Sequence, residues 1–149
     1  MRRWRFGFLS MLVTGLFTLG AMGVAQAAGP VKLKTVVIHA TKKPGKPHPG
    51  LKNIQKSLQK TFVQFKGFTL VSKEVLKLEK GKAAKLKLPK NRSALITYKG
   101  TKKKQHKLRL SVPKSKVNID LSVKPRKMFY QAGLKHDGGI LILGLYIKD

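Results

Sequence analysis

His136 and Asp137 are the one place where a histidine stands beside a carboxylate. In a nucleophilic triad an acid orients an imidazole, which takes a proton from a serine. The serine partner is not signalled: Ser72, Ser93, Ser111, Ser115 and Ser122 all lie outside a G-x-S-x-G turn. Asp137 is followed by Gly138-Gly139, where a turn residue explains it better. Ser57-Leu58-Gln59-Lys60 has the S-x-x-K spacing of serine acyl-enzymes. Its S-D-N and K-T-G partners are missing, and Lys99-Gly100-Thr101 runs in the wrong order. With 27 lysines in the chain, such a match is expected by chance.

Metal chemistry is equally unsupported. No two of His39, His48, His106 and His136 are four residues apart, as a helical ligand pair requires. His39 sits in a β-branched run and reads as structural. His48 lies between prolines, and His106 lies just past Lys102, Lys103 and Lys104, which repel a cation. The chain has no cysteine, hence no thiolate ligand, thiol nucleophile or disulfide. Glu74, Glu79, Asp120, Asp137 and Asp149 show no converging pair for glycoside hydrolysis. No glycine-rich phosphate loop follows a strand and opens a helix. The expectation is a protein that is not an enzyme and needs no cofactor and no metal.

The chemistry that remains is charge. The 149 residues carry 33 Lys and Arg against five Asp and Glu, a formal charge of +28. Arg2, Arg3 and Arg5 precede an apolar stretch from about Phe8 to Val24, and Ala25-Gln26-Ala27 follows. This is the layout of a secretory signal peptide over residues 1–27, the alternative being a retained membrane anchor. Cleavage before Ala28 leaves 122 residues, 28–149, expected to form one β-rich domain with a charge of +25. The expected location is the periplasm or the cell exterior.

The remaining bases are 27 lysines and only Arg92, Arg109 and Arg126. Arginine's planar fork suits bidentate recognition, whereas lysine is a flexible point charge. The surface therefore suits diffuse attraction to polyanions. Expected partners are acidic polysaccharide, lipopolysaccharide or an anionic membrane surface, with extracellular nucleic acid as a further candidate. The bland alternative is a lysine bias that only maintains solubility. The expected binding residues fall in three groups: Lys42, Lys43 and Lys46 in a proline-rich loop; Lys102, Lys103 and Lys104 in a second loop; and Lys85, Lys87, Lys107 and Arg109 on strands.

The elements that must position these residues follow from periodicity. Val31 to Ala40 is β-branched and reads as a strand. Thr41 to Pro49 carries three prolines and a glycine and reads as a loop. Leu51, Ile54, Leu58 and Phe62 recur at helical steps and predict a helix from Gly50 to about Gln64. Lys52, Lys56 and Lys60 form a like-charge row on its polar side, so the apolar face must dock to hold it.

Beyond Phe65 the period is two. Strands are expected at Phe68–Leu70, Val75–Glu79, Ala84–Leu88, Ser93–Tyr98, Lys107–Val112, Val117–Val123, Met128–Leu134 and Ile140–Ile147. Lys135 to Gly139 carries a hairpin signal. The predicted class is mainly β with one helix (α+β), an antiparallel β-sandwich or small barrel. Its order is strand, helix, then seven or eight strands.

In Lys85-Leu86-Lys87-Leu88 and Lys107-Leu108-Arg109-Leu110 leucine points one way and base the other. Paired strands of this kind would set bases opposite each other, a repulsion that a bound polyanion relieves. The last strand is apolar on both faces, as a central strand covered on both sides would be. Its alternative is a strand that joins another chain, making this a structural or assembly subunit of the envelope and a homo-oligomer.

Overall fold

The computed structural model describes residues 29–148; the expected signal segment, residues 1–27, lies outside the described residues. The elements are β1 (Val31–Thr41), α1 (Gln55–Thr61), β2 (Gly67–Leu78), β3 (Ala83–Leu88), β4 (Arg92–Lys102), β5 (Gln105–Val112), β6 (Val117–Val123), β7 (Phe129–His136) and β8 (Gly139–Ile147). They form two antiparallel four-stranded sheets, ordered β2-β1-β8-β7 and β3-β4-β5-β6. The second is a simple meander. The first closes the chain on itself, because β8 pairs with β1 on one side and β7 on the other.

Alternation builds the core. Leu86 and Leu88 of β3, Leu108 and Leu110 of β5, and Leu121 and Val123 of β6 turn to one side of their sheet. They meet Leu33, Val37, Leu141 and Leu143 of the first sheet in a continuous apolar layer. This is a sandwich, the first of the two expected architectures. A second cluster covers the outer face of the first sheet. There Leu51 and Leu58, both 0 % exposed, pack on Val36, Ile38, Phe68 and Ile142. Leu141, Leu143 and Leu145 of β8 face the inter-sheet core while Ile142 faces α1. The two-faced apolar pattern therefore reflects a strand buried on both sides. Both edges of β8 are occupied, and the open sheet edges belong to β2, β7, β3 and β6.

Three local expectations are corrected. The helix is shorter than 50–64: a 3-10 turn spans Pro49–Leu51 and α1 begins only at Gln55. Its N-cap residue, Ile54, makes no side-chain capping bond, and the first turn holds no acid. Pro49, Gly50 and the lysine row add nothing that would extend it.

The strands expected at 68–70 and 75–79 are one strand, β2. Its register on β1 slips at Val71, opposite Val37 and Ile38. The bulge shifts the phase of alternation and hides the continuity. The loop expected to hold Lys102, Lys103 and Lys104 is a tight hairpin, with β4 running to Lys102 and β5 starting at Gln105.

Candidate functional site

The outer face of the β3–β6 sheet carries Lys85, Lys87, Lys107 and Arg109. The expectation that bases face each other across the ladder is not met there. Lys85 pairs with Leu95 and Lys87 with Ser93. Lys107 pairs with Gly100 and Ser122, and its Nζ donates to Ser122 Oγ at 2.6 Å. Arg109 pairs with Thr97 and Asp120. Its Nε and Nη2 donate to the two Asp120 oxygens at 2.9 and 3.2 Å, and Lys99 Nζ is 3.3 Å from the same carboxylate. These donors hold the Asp120 carboxyl down at about 2. Arg109 is thus partly neutralised, while Lys85 and Lys87 stand exposed on the edge strand.

Lys102, Lys103 and Lys104 form the tip of the β4–β5 hairpin. Lys102 closes β4, and Lys103 and Lys104 alone make the two-residue turn, at φ 52° and 60°. Positive φ at both central residues is the type I′ geometry that Asn-Gly adopts with least strain, so two lysines are a costly choice. The tip is anchored from inside the sheet. Tyr98 Oη lies 2.9 Å from Thr101 Oγ1, and His106 Nδ1 is 3.3 Å from both oxygens. His106 is 3 % exposed and structural.

Lys42, Lys43 and Lys46 project from the loop leaving β1, all exposed. They lie at the opposite end of the sandwich from the 102–104 tip. That tip lies by Lys80, past the end of β2, where Leu78 pairs with Val31; the proline-rich loop leaves from Thr41, ten residues along β1. At about 3.3 Å per residue the two ends are about 33 Å apart.

At the Thr41 end the fold gathers a cluster around the His136-Asp137 pair. A dish of about 480 Å³ is lined by Lys42, Phe65, Lys90, Lys135, His136 and Asp137. Arg92 ties it together, donating to the Lys135 carbonyl at 3.0 Å, the Pro89 carbonyl at 3.3 Å and His136 Nδ1 at 3.3 Å. His39 stands edge-on to His136 with centroids 4.9 Å apart, and its Nε2 is 3.0 Å from the His136 carbonyl. Lys90 pairs with Asp137. Burial, with further pushes from His39, Lys90 and Arg92, outweighs Asp137 and lowers the pKa of His136.

Asp137 and Gly138 both have positive φ and make the β7–β8 turn, which accounts for the residues the sequence marked as a hairpin. A Cβ on Gly139 would lie 2.1 Å from the Ala40 carbonyl oxygen, so only glycine fits there.

The three expected groups of bases occupy three separate places. Lys42 joins Lys90, Lys135 and Arg92 at one end, Lys102 to Lys104 occupy the other, and Lys85, Lys87, Lys107 and Arg109 share a face. Sequence reasoning missed Lys90, Arg92 and Lys135 because strands far apart in sequence bring them to the dish. The Asp-Gly hairpin was the only local signal. Ser57 and Lys60 are both exposed on α1. Among the described residues no group of three or more His, Asp or Glu side chains could hold a metal, and no helix is long and apolar enough to cross a membrane. In comparison with known proteins, the chain matches no family model, no curated protein and no solved structure.

Proposed function

We propose that this is an exported, non-enzymatic basic β-sandwich that binds anionic polymers or envelope surfaces through many lysines acting together. One observation carries the reading: in residues 28–149 bases outnumber acids 30 to five, and three of those acids are already held in ion pairs. Glu79 is held by Lys82, Asp120 by Arg109 and Lys99, and Asp137 by Lys90. The strained Lys103-Lys104 turn supports the same reading, since a less costly pair would close that hairpin without the charge. Cations at both ends and on one face suit a long or extended polyanion better than a small one.

Binding of this kind works by counterion release, so affinity falls linearly with salt on logarithmic axes. The test is titration of the purified protein with a soluble acidic polysaccharide, with a neutral polysaccharide as control. About five neutralised charges predict about a hundredfold loss of affinity between about 50 and 200 mM salt. Changing Lys102, Lys103 and Lys104 together to Gln should weaken binding and flatten the slope. Absence of binding at low salt would leave the charge as a solubility feature and sink the proposal.

A further inference from the structure

Helix α1 has seven residues, about 10 Å of length, whereas β1 and β2 run for 11 and 12, about 35 to 40 Å. The helical segment therefore covers only part of the outer face of its sheet. Toward Thr41 it seals Ile38, Ala40, Phe68 and Ile142. Toward Val31 the same face stays open as a groove of about 560 Å³. That volume lies in the range of about 300 to 1,000 Å³ typical of small-molecule sites.

The groove sets apolar and basic side chains together on one lining. Val36, Val75, Met128 and Tyr146 line it, and Ile54 closes it against the helical segment. Gly144 pairs with Val36 on one side and Tyr130 on the other, and Met128 packs over it. A Cβ there would approach Met128 Sδ to 3.3 Å and Val36 Cβ to 3.6 Å. Val75 is 62 % exposed, an apolar side chain left in water at the groove's outer wall.

Lys34 pairs with Val75 and with Tyr146, and Lys73 pairs with Val36, so both lysines share the groove's face. The Lys34 ammonium lies 6.0 Å from the centre of the Tyr146 ring. Farther along this face Lys32 and Lys77 are directly opposed, which deepens the positive field. Glu74 is the acid on the lining, and its carbonyl accepts from Thr35 Oγ1 at 3.0 Å.

We propose that this groove binds one molecule of an anionic amphiphile, its anionic head between Lys34 and Lys73 beside Val75 and its unbranched acyl chain lying over Val36 toward Met128. Apolar walls alone would take any hydrocarbon; the paired ammonium groups select a chain that ends in a negative charge. The inference goes beyond the polyanion reading and does not rest on it, because it needs two lysines and an apolar floor rather than a diffuse excess.

The test is calorimetric titration of the purified protein with decanoate below its micellar concentration, beside 1-decanol as the neutral chain. NMR shifts of the Val75 and Met128 methyl groups locate the site. Decanoate should bind one to one and at least tenfold more tightly than 1-decanol. Val75→Asp, at an exposed position that folding does not need, should weaken decanoate at least tenfold. Lys34→Gln with Lys73→Gln should bring decanoate down to the level of 1-decanol, while Lys114→Gln with Lys116→Gln, both exposed and away from the groove, should leave decanoate binding unchanged.

No decanoate binding, or binding untouched by Val75→Asp, overturns the proposal. So does binding to anionic phospholipid vesicles without binding of monomeric decanoate, which would make this face a membrane-docking surface. Acidic polysaccharide binding should survive Val75→Asp, so either proposal can fail while the other stands.

Discussion

Asp120 answers two strands at once, taking two bonds from Arg109 on β5 and a contact from Lys99 on β4. Its pKa falls from 3.8 to about 2, so the folded state holds the charged form more firmly than the unfolded chain does. That contribution is complete above about pH 4 and is lost as pH falls toward about 2. An NMR titration should place the Asp120 midpoint near 2, and Arg109→Gln should move it back toward 3.8.

His136 titrates with the opposite consequence for its charge. Its folded pKa lies below 6.5, so the unfolded chain takes up its proton first as pH drops. Stability is full above about 6.5 and declines as the pH falls toward the folded value. Urea midpoints measured at pH 7 and 5 should differ less in His136→Gln than in the parent. An equal difference would remove His136 from that linkage.

At the scale of elements, the β4–β5 hairpin sets charge against conformational ease. Lys103 and Lys104 hold φ of 52° and 60°, where Asn-Gly is relaxed. Exchanging them for Asn and Gly should raise stability by about 1 kcal/mol or more, from relief of left-handed backbone at non-glycine residues. Under the proposed function the same change removes two cations and should weaken polyanion binding. Chemical denaturation and the salt slope, measured on one variant, check both halves.

The bulge at Val71 shows a second element-scale effect. It re-phases β2 so that Phe68 and Leu70 stay under the helical cover while Lys73 and Val75 keep to the same face beyond it. An alternation count across residues 67–78 fails at that one residue, which is why two strands are expected where one exists.

For the molecule as a whole, the formal charge of +25 carried by residues 28–149 must be held within one small sandwich. Self-repulsion opposes compactness, and salt screens it over a Debye length of about 10 Å at 0.1 M. Raising sodium chloride from about 20 to 300 mM should therefore raise the thermal midpoint by several degrees, the reverse of its effect on polyanion binding. A flat or falling midpoint would mean that register and spacing already keep the lysines far enough apart. The pairing of Lys85 with Leu95 and of Lys87 with Ser93 already separates bases on one face, whereas Lys32 opposite Lys77 does not on the other.

Much of the architecture was determined by the sequence alone. Period-two alternation with leucine on one side places β3, β5 and β6 and predicts their buried faces. The apolar run of β8 announces a strand covered on both sides, and Leu51, Ile54, Leu58 and Phe62 mark the segment that covers one of them. Asp137-Gly138 specifies its own turn because few dipeptides tolerate two positive φ values.

Only the tertiary structure decided which strands are neighbours, and with that everything that depends on neighbours. Register converts an expected face-off of bases into the pairing of Arg109 with Asp120. Long-range pairing brings Lys42, Lys90, Arg92 and Lys135 to one end, and sends Lys102 to Lys104 to the other. The groove of Val36, Val75 and Tyr146 exists because a short helix lies on long strands. Periodicity records which way each side chain points, but not what stands across from it.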